Sequence, residues 1–260
     1  MNTTHNTILV TGGGSGIGKG LAEAFHALGN KVIIAGRRKE VLDKTTAANP
    51  GMAAVVLDVE KSEAVEAFAQ QIIKDYPAIN VLINNAGIMV PEDMKDPKKG
   101  LANSEAMITT NILGPIRLIT AFLPHFQKQP SSAIINVTSG LAFVPLALAP
   151  TYCATKAAMH SYTQSLRYQL KDTSVQLIEL PPPYVQTELM GPGQASDPNA
   201  MPLTDFISET MAIFKNSPEA TEICVERVKP LRFAEKGGNY AAFFKTFNDT
   251  MTTAAAAAGH

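Results

Sequence analysis

Cysteine is scarce: the 260-residue chain has two, Cys153 and Cys224. Two thiols cannot staple a secreted scaffold, so a disulfide framework is excluded and a cytoplasmic setting is expected. Cys153 adjoins Tyr152 but has no histidine near it in sequence, so it reads as a packing residue rather than a nucleophile. An excess of one charge is also missing, with 22 Lys and Arg against 23 Asp and Glu. Such a chain sets up no field for a nucleic acid or an anionic membrane, and neither partner is expected. Its densest basic spots, Arg37-Arg38 and Lys98-Lys99, are short, and the lysine pair reads as solvated loop. Long apolar runs are lacking too. The longest strongly apolar stretch, Leu141 to Pro150, has ten residues and two prolines, about half of what a membrane-spanning helix needs. Met1 to Asn6 has no charged segment leading into an apolar one, so no secretory signal is expected. The histidines show no metal-ligand spacing and no Asp, Glu or Cys cluster joins them, so no metal site is expected.

What is present is an alternation of short Val/Ile/Leu/Ala runs with amphipathic helical stretches over the first 180 residues. Ile8 to Val10, Lys31 to Ala35, Ala53 to Leu57, Val81 to Ile83, Ala133 to Val137 and Val175 to Leu180 read as strands. These are continuous apolar runs rather than apolar/polar alternations, the pattern of strands buried on both faces of a parallel sheet. Strand and helix in strict turn predict an α/β, doubly wound, Rossmann-like single domain of six to seven strands with helices on both faces. Helices are predicted at Met107 to Phe126 and Thr151 to Leu170. The domain is expected to span 1–250. A stretch rich in Gly, Pro, Asn and Asp after the sixth strand suggests a substrate lid at about 188–218, and 251–260 reads as a frayed tail.

Four constellations carry chemistry. Thr11-Gly12-Gly13-Gly14-Ser15-Gly16-Ile17-Gly18 lies between the first strand and the first helix, where backbone must turn sharply and approach a pyrophosphate. At the end of the second strand an acid would bind ribose hydroxyls and repel a 2′-phosphate. The chain has Gly36-Arg37-Arg38 there, which favours NADP(H) over NAD(H); solvated arginines are the alternative, above all for Arg38. Asp58, with Val59 beside it, is placed to accept from an adenine amino group. Asn84-Asn85-Ala86-Gly87 follows the fourth strand, its amides placed to bridge strand ends. Finally, Tyr152 and Lys156 are four apart on a helix and share a face. The ammonium is expected to lower the phenol's pKa toward neutrality. Ser139 ends the preceding strand at the same sheet edge.

Together these residues resemble the short-chain dehydrogenase/reductase family, closely over residues 7 to 190 and weakly beyond. The resemblance implies a tetrad of Asn111, Ser139, Tyr152 and Lys156. Tyr152 would donate a proton to a carbonyl oxygen that Ser139 holds, Lys156 would bind the nicotinamide ribose, and Asn111 would hold a water linking Lys156 to solvent. It also implies Ile88 beside the cofactor and Thr138 near the nicotinamide. Val185 and Thr187 would meet the carboxamide, in a Pro182-Pro183-Tyr184-Val185-Gln186-Thr187 segment with proline where the family has glycine. That proline, and the lack of the usual final strand, resemble the subgroup associated with D-alanylation of lipoteichoic acid. A homodimer through the long helices at 104–127 and 151–170 is expected, with a tetramer as the alternative.

Leu141, Phe143, Val144, Tyr184, Leu189 and Met190, with Met201 or Phe206 from the lid, are the candidate substrate lining, and core packing is the competing reading. If they line the site, the substrate is an apolar or aromatic ketone, aldehyde or secondary alcohol. A carbonyl reductase or alcohol dehydrogenase is the leading expectation. An isomerase, epimerase or dehydratase on the same fold is the alternative, and a non-catalytic nucleotide-sensing module is disfavoured by the intact Tyr152 and Lys156.

Overall fold

A computed structural model describes residues 1–96 and 100–257; Lys98 and Lys99 lie outside them. Six strands form one parallel sheet: β1 (Thr7–Thr11), β2 (Lys31–Gly36), β3 (Ala53–Val56), β4 (Ile79–Asn84), β5 (Ser132–Val137) and β6 (Val175–Leu180). Their order is β3-β2-β1-β4-β5-β6. The chain reverses direction across the sheet between β1 and β4, so the crevice beyond their carboxyl ends is where such a sheet binds ligands.

Alternate residues of each strand serve opposite faces, and both faces are covered. Ile8, Val10, Ile34, Val81 and Ile83 pack under α1 (Gly16–Ala27), α2 (Lys39–Ala48) and α7 (Leu203–Asn216). Leu9, Ile33, Leu82, Ile134 and Leu177 pack under α3 (Ser62–Asp75), α5 (Gly114–Phe126) and α6 (Pro150–Gln169). Double coverage is why the strands read as unbroken apolar runs. The remaining helices are α4 (Leu101–Ile108), α8 (Lys229–Arg232) and α9 (Tyr240–Ala257).

Three expectations change. The predicted helix at 107–126 starts earlier and is interrupted: α4 and α5 are joined by a π-helical turn, Thr109–Leu113, containing Asn111. The whole stretch Leu101–Phe126 is long and apolar enough to span a membrane, yet less than half of its most apolar window is buried. The buried share, including Leu118, Ile119, Phe122 and Phe126, packs on the sheet and α3. Second, the 188–218 region is anchored to the core through α7. Phe206 and Phe214 of α7 are fully buried, with Phe214 against Phe25 of α1. Each such burial contributes about 1.5–3 kcal/mol, so α7 is held down. Met201 is buried with them, and its backbone pairs with Tyr184 and Gln186. Third, residues 251–257 continue α9 instead of fraying, since an Ala-rich run has the highest helix propensity. Residues 258–260 lie outside the described part.

Candidate active site

The glycine loop is shaped by backbone that other residues avoid. Gly12 and Gly16 adopt φ of +66° and +52°, the left-handed region that Cβ disfavours. A Cβ on Gly12 would stand 2.8 Å from Asn85 Nδ2. Ser15 caps α1 with extended backbone but makes no side-chain capping bond, so the first N–H groups of α1 are free to meet an anion. The Ser15 hydroxyl instead accepts from Arg38 at 3.3 Å, and Thr187 lies over Gly16 from the far side. An uncapped helix end, a glycine cradle and a guanidinium together fit a dinucleotide pyrophosphate. Ile17 packs into the core below, and Gly14 abuts Val41 and Leu42 of α2.

The loop is locked to the fourth strand. Asn85 Nδ2 donates to the Thr11 carbonyl (3.0 Å), and the backbones of Asn85 and Ala86 donate to Thr11 Oγ1. Asn84 bridges to Asn136 of β5 at 2.9 Å. Both amides therefore tie strand ends, as their spacing suggests. At the β2 edge the arginines diverge: Arg37 pairs with Glu60 at 3.3 Å, and Arg38 reaches the glycine loop. Asp58 accepts from the Glu60 backbone (3.2 Å), and Val59 is buried beneath it against Gly114.

Tyr152 and Lys156 open α6, both nearly buried, with Lys156 Nζ 5.5 Å from the phenol ring centre. The Nζ donates to the Val137 carbonyl at the end of β5 (2.9 Å). Ser139, two residues on, accepts from Leu141 N (3.0 Å). Asn111 Oδ1 accepts from Ile88 N, while its Nδ2 donates to Ile88 O and Thr155 Oγ1. That side chain shapes the Ile88 loop and ties it to α6.

One electrostatic expectation is corrected. Burial pushes the Tyr152 phenol well above its ordinary value, and the Ser139 hydroxyl offsets only part of that. Burial also pulls the Lys156 ammonium down to about 8. Both groups are driven toward their neutral forms by one cause, loss of water around the charged state. The lysine does not bring the phenol toward neutrality here.

Tyr152 packs in a buried apolar cluster with Met89, Met107, Leu146 and Cys153, with Ile88, Val90, Leu141, Leu148, Met190, Phe247 and Met251 against them. Leu141 and Met190 were expected. Phe143 is not part of this cluster; its ring packs on His160 and Arg232. Val144 is fully buried and lies outside this cluster. The Tyr184 hydroxyl donates to Asp197 at 2.9 Å, and Leu189 lies on the surface, 40% exposed. Val185 is a core residue whose carbonyl accepts from Gln194. The Thr138 hydroxyl donates to buried Glu179 (2.6 Å), and the Pro182 carbonyl accepts from Gly140 N. Sequence reasoning missed Phe247 and Met251, although they are four apart on one face of α9. Cys153 is a packing thiol that accepts from Leu146 N, and burial raises its pKa.

Residues 6–197 match the family model described as short chain dehydrogenase. The chain belongs to the short-chain dehydrogenase family. It is 41% identical over 253 residues to the "Uncharacterized oxidoreductase DltE" of Bacillus subtilis (strain 168), covering 95% of this chain and 98% of that one. In fold it is similar to a short chain dehydrogenase from Burkholderia cenocepacia J2315 in complex with NADP, with TM-score 0.78, 26% identity, and coverage of 93% and 98%. A short chain dehydrogenase/reductase from Burkholderia phymatum in complex with NAD shares the fold at TM-score 0.79 and 21% identity, covering 90% and 93%. As a family member this chain is an oxidoreductase built for a nicotinamide cofactor, and the neighbours divide between NAD and NADP.

Proposed function

We propose that the chain is an NADP(H)-dependent carbonyl reductase or alcohol dehydrogenase for an apolar or aromatic ketone, aldehyde or secondary alcohol. The observation that carries this reading is the phenol of Tyr152 beside Ser139, packed among the apolar side chains of Met89, Met107, Leu146 and Cys153. A bound reduced nicotinamide would supply hydride to the carbonyl carbon. The Ser139 hydroxyl is placed to hold the carbonyl oxygen, and Tyr152, kept protonated by burial, to give that oxygen its proton. Lys156, bonded to the Val137 carbonyl, would meet the ribose hydroxyls and stabilise the phenolate left behind. The surrounding methionines and leucines exclude water from the transfer.

NADP(H) over NAD(H) is supported by the absence of an acid at Gly36-Arg37-Arg38 and by the contact of Arg38 with Ser15. Arg37 contributes less than the sequence suggests, because Glu60 already pairs with it. A homodimer is supported by the exposed apolar residues Leu101, Ile108 and Leu113 along the long helix and Tyr168 on α6. The test is loss of reduced-nicotinamide absorbance when protein and NADPH meet a panel of aromatic, aliphatic and keto-ester carbonyls. Tyr152→Phe should abolish turnover and retain NADPH binding; retained turnover refutes the role. Product formation without net NADPH consumption would favour the isomerase or dehydratase alternative.

A further inference from the structure

The helix that presents Tyr152 has no cap of its own. Ala149 occupies the capping position without a side-chain acceptor, and Pro150 follows it. The missing acceptor comes from another part of the chain. Glu92, eight residues beyond the end of β4, places Oε2 2.8 Å from the Thr151 backbone N–H. Its Oε1 accepts from Thr151 Oγ1 (2.8 Å) and from Ser104 Oγ of α4 (2.7 Å). Its own backbone N–H donates to the Leu148 carbonyl (2.9 Å), in the segment leading into α6. One half-buried residue thus binds the loop that continues from Ile88, the α4 helix and the first turn of α6. Burial alone would raise the Glu92 carboxyl pKa, but the bonds from Ser104 and Thr151 outweigh it and hold the group ionised. A carboxylate is also favoured there by the positive end of the helix dipole.

We infer that Glu92 is a positioning residue for the reaction: it fixes the first turn of α6, and with it the Tyr152 phenol, against the segment that carries Ile88. The neighbouring residues leave no substitute. Thr151 is the first residue of α6 with an N–H to donate, and the Cys153 N–H is already taken by the Ala149 carbonyl. Without the carboxylate the turn bearing Tyr152 loses the side-chain acceptor for its first N–H and its tie to α4, and displacements of an ångström suffice to cost about 100-fold in rate.

The inference rests on the reductase reading for its kinetic consequences, so the experiment has two arms. In the first, Glu92→Ala should lower kcat for ketone reduction about 10- to 100-fold with NADPH affinity unchanged. Glu92→Gln, which keeps one oxygen for the Thr151 N–H and an NH2 from which the Thr151 and Ser104 hydroxyls can turn to accept, should restore part of kcat. A Glu92→Ala kcat within twofold of wild type, a parallel loss of NADPH binding, or no restoration by Glu92→Gln overturns the inference. The second arm needs no turnover: with 13C-labelled tyrosine, the Tyr152 resonance (assigned through Tyr152→Phe) should shift or broaden in Glu92→Ala and stay in place in Glu92→Gln. An unmoved resonance in Glu92→Ala overturns the inference even if no carbonyl is ever reduced. A shifted one supports it even if the reductase reading fails.

Discussion

Replacing Lys156 with methionine should make the protein more stable while destroying its activity. The ammonium sits in a nearly water-free position, and burial lowers its pKa from 10.5 to about 8. At about 1.36 kcal/mol per pH unit, keeping it charged costs about 3 kcal/mol relative to the unfolded chain. Methionine fills a similar volume and has no charge to desolvate. It does lose the bond to the Val137 carbonyl, which is 2.9 Å long and worth about 1 kcal/mol or somewhat more. The net gain at pH 6 is about 1–2 kcal/mol, or about 2–8 °C in Tm for a domain of this size. The sign follows from the lowered pKa. Wild type carries the full cost below pH 8, and sheds it as pH climbs from about 8 toward 10.5, where the unfolded lysine also loses its proton. The variant carries none, so its advantage must shrink over that window and vanish near the top of it. Thermal unfolding of cofactor-free protein at fixed concentration, from pH 6 to 10, measures the difference directly. A variant less stable than wild type at pH 6, or a difference constant with pH, refutes the assignment of burial as the cause. Ketone reduction should fall at least about 100-fold in the same variant.

Two more perturbations separate cofactor choice from substrate placement. Gly36→Asp puts a carboxylate at the end of β2, and its Cβ would meet nothing nearer than Leu42 Cδ2 at 3.7 Å, so the fold should tolerate it. Like charges about 5 Å apart repel by about 1–3 kcal/mol at effective dielectrics of 80 to 20, so the NADPH-to-NADH ratio in kcat/KM should fall about 5- to 150-fold. An unchanged ratio would mean the 2′-phosphate is read elsewhere. Asn248 of α9 accepts from Ala147 N (2.6 Å) and donates to Pro145 O (3.1 Å), clamping the segment between Ser139 and Tyr152. Asn248→Ala should cost about 1–3 kcal/mol and raise KM for the carbonyl without altering NADPH affinity; titrations and steady-state kinetics would show a uniform loss instead if α9 only supports the fold.

The sheet was legible because burial on both faces writes itself as unbroken apolar runs, and β1 to β6 stand where those runs do. The glycine loop, Ser139, Tyr152 and Lys156 were legible because each sits at a strand end or helix start whose position the periodicity fixes. The π turn at Asn111 was not, since a one-residue shift in hydrogen bonding leaves helical periodicity nearly intact. Phe143 and Val144 follow Ser139 in sequence and read equally as substrate lining or as core packing. The chain turns there, so Phe143 packs on His160 and Arg232 and Val144 is buried. Phe247 and Met251, about a hundred residues further on, pack against the Tyr152 cluster instead. Glu92 carries no motif at all, because capping across 59 residues depends on where two loops meet in space.

The corrected electrostatics of Tyr152 sharpen what the site is suited to do. Read from spacing alone, a lysine one turn away makes the tyrosine an easy proton acceptor near neutral pH. In the fold, burial acts on both groups, raising the phenol and lowering the ammonium. A phenol held protonated is in the state that carbonyl reduction requires, and an oxidation beginning with phenolate must first overcome that burial. The same apolar surroundings that would receive a hydrophobic ketone therefore bias the tyrosine toward giving a proton rather than taking one. On the proposed reading, the apolar substrate and the proton-giving role of Tyr152 rest on a single feature, the buried apolar cluster of Met89, Leu146 and the far end of α9 around the phenol.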